Sequence, residues 1–147
     1  MIKKVKLITG EIFKDKRGNL KFINQFNLGE IKRFYQVENS NTKIIRAFHG
    51  HFKEAKFVWV VSGSILLCTV FLDHKKNPSK SGKVERFILK ADNPQIVYIP
   101  PSFANGFRAL ETDTKVIFFS TSTLEESKKD DFRFPANYWG EEVWQSD

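Results

Sequence analysis

The sequence predicts an all-β protein built as an antiparallel barrel or sandwich. Short apolar runs typical of strands recur along the chain, and turn residues separate them at near-regular spacing. The 15 phenylalanines favour a sheet-rich, aromatic core, because aromatic residues are enriched in strands. The 147 residues are enough for one domain around one core. No linker, repeat or low-complexity segment divides residues 1–147.

The first part of the chain contains four predicted strands. Val5–Phe13 is the first, and a turn at Asp15–Asn19 leads into the second, Leu20–Phe26. The third strand covers Lys32–Val37. The fourth, Lys43–His51, carries two of the three histidines of the chain.

The middle of the chain predicts a β-hairpin. Phe57–Val61 leads to a turn at Ser62–Ser64, and Ile65–Leu72 returns beside it as the hairpin partner. A polar loop, Lys75–Gly82, then separates this hairpin from a further strand at Val84–Leu89.

Three more strands complete the predicted sheets. A turn at Asp92–Pro94 precedes Gln95–Ile99, and a pair of prolines follows that strand. Phe107–Leu110 and Lys115–Ser120 are the last two predicted strands.

The C-terminal tail is predicted to be short, part helical and part irregular. Leu124–Asp131 has the composition of a short helix, with Thr123 as its N-cap. The segment Phe132–Trp144 is aromatic, and we expect it to pack against the barrel or against a partner subunit.

The net charge of +7 is compatible with two kinds of partner, nucleic acid or a small phosphorylated ligand. The lysines are spread along the chain, and no nucleic-acid-binding motif is present, so nucleic acid is disfavoured. No apolar run is long enough to span a membrane. The start, Met1–Lys6, lacks the apolar stretch of a secretory signal. The single cysteine, Cys68, lies in an apolar run as expected for a buried, reduced thiol, and a cytoplasmic protein is the simplest expectation.

The segment Ile45–His51 is the most informative stretch for function. His49 and His51 share one face of a strand, because strand side chains alternate. Arg46 lies on the opposite face of a regular strand, unless a bulge intervenes. Two imidazoles and an anion-binding group this close together suit either a metal site or proton transfer on an anionic substrate.

The His-x-His pair resembles the first motif of the cupin superfamily, whose jelly-roll barrels commonly bind a divalent metal through three histidines and a glutamate. His49 and His51 match the pair, but Lys56 stands at the glutamate position and Asn105 at that of the third histidine. A lysine ammonium would repel a cation. The sequence therefore predicts a cupin barrel that holds no metal and needs no cofactor.

Further motifs resemble two cupin families that act on nucleotide sugars, over roughly residues 12–122. The dTDP-4-dehydrorhamnose 3,5-epimerases are resembled at Asp15–Gly18, at Gln36 with Asn39 and Ser40, and at Arg46–His49, Glu54–Val58 and Ile99–Phe107. The dTDP-4-keto-6-deoxyhexose 3,4-ketoisomerases are resembled at Ile31–Tyr35 and Arg46–His51.

The resemblance implies proton chemistry beside a sugar ketone. Removing the weakly acidic hydrogen next to a carbonyl gives an enolate, which requires a base and a group that stabilises the oxyanion. By match to both families, His49 is the base, and Lys56 matches a lysine near the keto oxygen. Arg46 and Arg17 match residues that bind the diphosphate, with Arg17 reaching across a dimer in the epimerases.

The chain also departs from the epimerases. Their acidic tyrosine corresponds to Phe118, which has no proton to donate, and their aspartate that supports the histidine falls in an extension beyond this chain. The ketoisomerase pattern instead supplies His51 and Tyr35 as further catalytic groups. The resemblance assigns Gln36 and Asn105 to substrate binding.

These observations predict an isomerase or epimerase of a nucleotide-diphosphate 4-keto-6-deoxyhexose, with dTDP as the expected nucleotide, in deoxysugar and polysaccharide biosynthesis. The resemblance also implies a homodimer. Two alternatives stay open at this point. One is a non-catalytic sugar-nucleotide-binding cupin, which Phe118 supports, and the other is a metal-dependent cupin oxygenase, which Lys56 and Asn105 disfavour.

Overall fold

The computed structural model describes residues 3–146, so Met1 and Ile2 of the predicted N-terminal segment lie outside the described residues, as does Asp147. Two five-stranded antiparallel sheets face each other, and the predicted all-β barrel is confirmed. The first sheet contains, in spatial order, β1 (Lys6–Thr9), β9 (Gln95–Ile99), β6 (Lys56–Ser62), β11 (Lys115–Ser120) and β4 (Arg33–Val37). The second contains β12 (Phe132–Arg133), β5 (Ile45–His51), β10 (Phe103–Ala109), β7 (Ser64–Phe71) and β8 (Val84–Lys90).

The predicted hairpin between β6 and β7 is wrong, because the two strands belong to different sheets. They are consecutive in the chain, but Gly63 carries the backbone from one sheet to the other with a φ of 75°. A side chain at this position would also meet Thr114, whose Oγ1 lies 2.1 Å from where a Cβ would be. Glycine is therefore required at this corner.

β7 is buried on both of its faces. Ile65 and Leu67 point into the core between the sheets, whereas Leu66 and Cys68 lie under the C-terminal tail. This double burial explains why the strand is a continuous apolar run and lacks the alternation of a half-exposed strand.

The predicted first strand is two strands, β1 and β2 (Glu11–Asp15), which separate at Gly10. β2 pairs with β3 (Gly18–Phe22) in a hairpin that forms a separate small sheet, and its turn is confined to Lys16 and Arg17. The predicted second strand therefore begins and ends earlier than expected. β10 also begins at Phe103, four residues before the predicted start.

The tail packs on the outer face of the second sheet. The helix α1 (Leu124–Lys128) has the predicted Thr123 N-cap, within a full capping box that includes Glu126. Beyond β12, the rings of Trp139 and Trp144 contact Phe48 with centroids 4.8 and 5.3 Å apart. The predicted packing of the aromatic tail against the barrel is confirmed. Within residues 3–146, no helix has the length and apolar character needed to cross a bilayer.

Candidate active site

A bulge in β5 brings Arg46 and His49 to the same side of the sheet. On the neighbouring strand β10, Asn105 is opposite His49 and Phe107 is opposite Arg46, so β5 has one residue more than β10 between these two pairs. Gly106 allows the bulge, because a Cβ there would lie 2.3 Å from the Cβ of Ala47. β5 is therefore an irregular strand, and Arg46 lies on the same side as His49, not on the opposite side as in a regular strand.

The bulge helps to form a small cavity between the two sheets, which we call the strand-lined cavity. Its volume is about 150 Å³. The lining residues all come from strands or their ends: Tyr35, Val37, Arg46, His49, Lys56, Asn105, Phe107 and Phe118. Five of the eight predicted site residues (Tyr35, Arg46, His49, Lys56 and Asn105) therefore meet here.

Lys56 and Tyr35 form a hydrogen-bonded pair inside this cavity. The Lys56 ammonium donates to the Tyr35 hydroxyl oxygen over 2.8 Å, and Lys56 is buried. The Tyr35 ring stacks on Phe118, with centroids 5.3 Å apart and planes inclined by 7°. A buried lysine requires a polar partner, and Tyr35 provides it. The phenolic oxygen is thereby fixed next to Phe118.

His49 is half-buried at the wall of the cavity. Burial lowers the pKa of its imidazole below the ordinary value of 6.5, and the nearby cations Arg133 and Lys56 lower it further, while Asp131 opposes them. His49 is consequently uncharged at neutral pH and has a lone pair that can accept a proton.

Two residues complete the mouth and wall of the strand-lined cavity. Arg46 is exposed at the mouth, where its Nε donates to Asn39 Oδ1 over 2.6 Å. This bond uses only Nε, which leaves the two terminal nitrogens of the guanidinium for an anion. Asn105 is buried, and its amide lies 3.5 Å from the His49 carbonyl, at the limit of a hydrogen bond.

A second cavity, of about 200 Å³, lies on the other side of His49 and Lys56. We call it the helix-side cavity, because α1 and the segment after it supply most of its wall. It is lined by His49, His51, Lys56, Leu124, Ser127, Lys128, Asp131 and Arg133. His49 and Lys56 thus border both cavities, whereas His51 borders only this one.

His51 belongs to a buried polar network. Its Nδ1 lies 2.6 Å from the Asp130 carbonyl oxygen and 3.5 Å from Glu54 Oε1. Glu54 accepts hydrogen bonds from the hydroxyls of Ser120 and Ser127. Burial and the charge of Lys56 lower the pKa of His51, while Glu54 and Asp130 oppose that effect.

The ligand atoms of His51, Glu54 and Asp130 lie within 4.8 Å of one another, which is close enough to suggest a metal site. The donor set nevertheless does not fit a cation. The Asp130 carboxylate accepts from the backbone N–H groups of residues 52–54, and the Glu54 carboxylate accepts from two serines. The Lys56 charge also acts on the same imidazole.

Two predicted substrate-binding residues lie outside both cavities. Gln36 is on the outward face of β4, where its amide donates to Glu38 over 3.0 Å. Arg17 is at the tip of the β2–β3 hairpin, with its side chain 83% exposed and paired with Asp15 at 2.6 Å.

The C-terminal segment contributes groups that the sequence did not predict at the site. Asp130 contacts His51, and Arg133 pairs with Asp131 at 3.1 Å beside His49. Arg133 is opposite His49 in the ladder between β12 and β5. The only sequence signal is the charged run Lys128–Asp131 after a helix, which is also typical of a solvated surface.

The fold defines a class of proteins, the RmlC-like cupins. The chain belongs to the dTDP-4-dehydrorhamnose 3,5-epimerase family, whose model matches residues 1–137. This agrees with the resemblance found in the sequence motifs.

Two curated relatives are similar over most of this chain. The Escherichia coli (strain K12) dTDP-4-dehydrorhamnose 3,5-epimerase is 31% identical over an alignment of 121 residues that covers 74% of this chain. The Bacillus subtilis (strain 168) spore coat polysaccharide biosynthesis protein SpsL is 29% identical over 101 residues, or 68% of this chain. The chain spans 63% and 64% of the lengths of these two relatives.

Solved structures with the same fold come from both enzyme families. A mutant of the 3,4-ketoisomerase QdtA from Thermoanaerobacterium thermosaccharolyticum, in complex with TDP-4-keto-6-deoxyglucose, has a TM-score of 0.72 at 20% identity, covering 95% of this chain and 94% of that one. The dTDP-4-dehydrorhamnose 3,5-epimerase from Sulfolobus tokodaii has a TM-score of 0.73 at 25% identity, covering 91% and 78%.

Proposed function

We propose that this protein is an isomerase that acts on a nucleotide-diphosphate 4-keto-6-deoxyhexose, with dTDP as the nucleotide, by removing the proton next to the ketone. One observation carries the proposal: the hydrogen-bonded Lys56–Tyr35 pair and the uncharged His49 line a single cavity. These are the three kinds of group that enolate chemistry requires, namely a base, a cation and a proton donor. The names of the relatives support the same substrate class.

The first step is proton abstraction by His49. The C–H bond next to the ketone breaks, its proton moves to the imidazole, and its electron pair forms the enolate with negative charge on the former carbonyl oxygen. The Lys56 ammonium stabilises that oxygen, and the stabilisation is strong because the ammonium is buried away from water.

The second step is proton return. Phe118 has no proton to give, whereas the adjacent Tyr35 hydroxyl does, and the Lys56 ammonium would stabilise the phenolate that forms. Return to the same carbon from the opposite face gives an epimer. Return to the neighbouring carbon, with transfer of the hydroxyl proton, gives the isomeric ketone. Both outcomes use the same groups, and the proposal covers both.

The remaining polar groups suit binding of the nucleotide. Arg46 at the mouth of the strand-lined cavity is placed to bind a phosphate, because its fork matches phosphate oxygens. We further propose a homodimer in which Arg17 acts on the partner's site. The exposed hairpin supports this assembly, since Phe13 and Leu20 there are 55% and 61% exposed.

The test is exchange of solvent deuterium into dTDP-4-keto-6-deoxyglucose, followed by proton NMR. We expect exchange with the wild-type protein and a loss of roughly 10²–10⁴-fold in its rate for His49→Asn. His74→Asn is the matched control, because His74 is exposed and its ring accepts only from the loop N–H groups of Lys76 and Asn77. Equal rates for wild type and His49→Asn would contradict the proposal. The labelled carbons distinguish epimerisation from ketoisomerisation.

Phe118 favours a second candidate, a binding protein that has lost its catalytic acid. That function requires tight binding of dTDP-sugars with no deuterium exchange in any of several keto-sugars. Calorimetric titration of the same samples therefore separates the two functions.

A further inference from the structure

His49 and His51 are held by different contacts. The contacts of His51 determine which of its ring nitrogens carries the hydrogen. Its Nδ1 lies 2.6 Å from the Asp130 carbonyl oxygen. A carbonyl oxygen only accepts, so Nδ1 must carry the hydrogen that this bond requires. In the uncharged ring, Nε2 then has a lone pair and no hydrogen. His51 is buried, and its Nε2 has no partner among residues 3–146.

Glu54 reinforces this arrangement from the same side of the ring. Its Oε1 lies 3.5 Å from His51 Nδ1, and its side chain is fully buried. Ser127 on α1 donates to that oxygen over 2.7 Å, and Ser120 on β11 donates to the other carboxylate oxygen. Arg33 on β4 approaches Glu54 to 3.6 Å. Groups from three different elements therefore hold the carboxylate in place.

Asp130 is fixed as firmly as Glu54. Its carboxylate accepts from the backbone N–H groups of Phe52, Lys53 and Glu54, at 2.8, 2.9 and 2.9 Å. These bonds join the β5–β6 loop to the segment after α1. Because the carboxylate is engaged there, the main-chain carbonyl of the same residue is left to accept from His51.

Burial and a nearby cation together keep the His51 ring neutral. His49 and Lys56 face the ring from β5 and β6, Glu54 and Asp130 face it from the two loops, and the wall of the helix-side cavity adds further charges. Burial and Lys56 lower the pKa of His51 more than the two carboxylates raise it. The ring is uncharged at neutral pH. The other charged residues that line the cavity are Lys128, Asp131 and Arg133.

We infer that Glu54 and Asp130 are positioning residues, which hold His51 as the Nδ1–H tautomer so that Nε2 meets the substrate as a hydrogen-bond acceptor. His51 in this tautomer has no hydrogen on Nε2 to give to the enolate, and Tyr35 takes that role. The group that fits Nε2 is a hydroxyl of the hexose, which donates its hydrogen from the helix-side cavity. This inference rests on the proposed function for its ligand, but the tautomer itself does not depend on any ligand.

The test is nitrogen-15 NMR of the histidine rings over a pH series. We expect wild-type His51 to show a protonated Nδ1 and an unprotonated Nε2 at neutral pH. Glu54→Gln removes the negative charge, and we expect it to lower the pKa of His51. Glu126→Gln is the matched control, because Glu126 contacts Thr123 and Lys32 and takes no part in the His51 network. We expect it to leave His51 unchanged.

A wild-type His51 with its hydrogen on Nε2, or with both tautomers populated, would overturn the inference even if Glu54→Gln failed to fold. Saturation with dTDP-4-keto-6-deoxyglucose should shift the Nε2 resonance while Nδ1 stays protonated. An unchanged Nε2 resonance at saturation would overturn the acceptor role. If the sugar nucleotide does not bind at all, the proposed function fails, and the wild-type tautomer still tests the positioning by Glu54 and Asp130.

Discussion

The strand-lined cavity and the helix-side cavity meet at His49 and Lys56 but differ in whether a carboxylate lines the wall. Among the described residues, the strand-lined cavity has two cations, Lys56 and Arg46, and no carboxylate in its wall. In the helix-side cavity, the cations are Lys56, Lys128 and Arg133, and Arg133 is paired with the carboxylate of Asp131. Negative charge that develops on a bound sugar therefore meets no opposing carboxylate in the strand-lined cavity, whereas Asp131 opposes it in the helix-side cavity. The comparison indicates that strands supply the reacting groups, whereas the tail adjusts the two histidines.

Replacement of Lys56 should lower activity far more than replacement of a lysine that lines only the helix-side cavity. We expect Lys56→Met to lower kcat by roughly 10²–10³-fold, as loss of an oxyanion-stabilising group does. The melting temperature should not fall, because an apolar side chain avoids the cost of burying a charge. Steady-state kinetics and thermal unfolding measure the two effects.

Lys128→Met is the control for this change, since Lys128 lines only the helix-side cavity. A loss of activity equal to that of Lys56→Met would mean that the enolate forms in the helix-side cavity instead.

The sequence predicted the strand-lined cavity better than it predicted the helix-side cavity. The family motifs named Tyr35, Lys56, His49 and Arg46, and strand alternation is compatible with Tyr35 and Lys56 both pointing inward from one sheet. A side chain's face follows directly from its position along a strand. The bulge that turns Arg46 inward was foreseen only as an exception, because it depends on the close approach of Gly106 to Ala47.

The helix-side cavity was not predicted, because its wall comes from an irregular segment. No periodic pattern fixes where Asp130, Asp131 and Arg133 lie, and their charges look like those of a solvated surface. The predicted β6–β7 hairpin failed for a related reason. A short glycine turn is compatible with a hairpin or with a crossing to the opposite sheet, and only the packing around Thr114 decides between them.

Arg46 should matter for binding more than for the chemical step. We expect Arg46→Met to weaken dTDP binding by roughly tenfold to a hundredfold, because a charge-assisted contact to phosphate is lost. The same change at Arg133 should leave dTDP affinity within about twofold, since its guanidinium is paired with Asp131. Calorimetric titration with dTDP compares the two. Stronger weakening by Arg133→Met would place the diphosphate at the helix-side cavity.

The smallest expected effect is on pH dependence. His49 must be uncharged to act as the base, and Arg133 helps to lower the pKa of His49. Arg133→Met removes that repulsion, so the imidazolium becomes more stable and the pKa of His49 rises toward 6.5. The acid limb of kcat/KM should move to higher pH, and the movement should be small because water screens a side chain that is 70% exposed.

The measurement is the pH profile of kcat/KM for wild type and Arg133→Met between pH 5 and 8. The rates should converge at the alkaline end, where His49 is uncharged in both proteins. A limb that moves to lower pH would show that Arg133 does not act on the base through its charge.

A crystal structure of His49→Asn with dTDP-4-keto-6-deoxyglucose tests the central claim most directly. We predict that the hexose lies mainly in the strand-lined cavity, with its keto oxygen within hydrogen-bond distance of Lys56 Nζ, its diphosphate at Arg46, and one hydroxyl reaching past His49 and Lys56 to His51 Nε2 in the helix-side cavity. A hexose whose keto oxygen lies away from Lys56, or a diphosphate held by Lys128 and Arg133, would contradict the account.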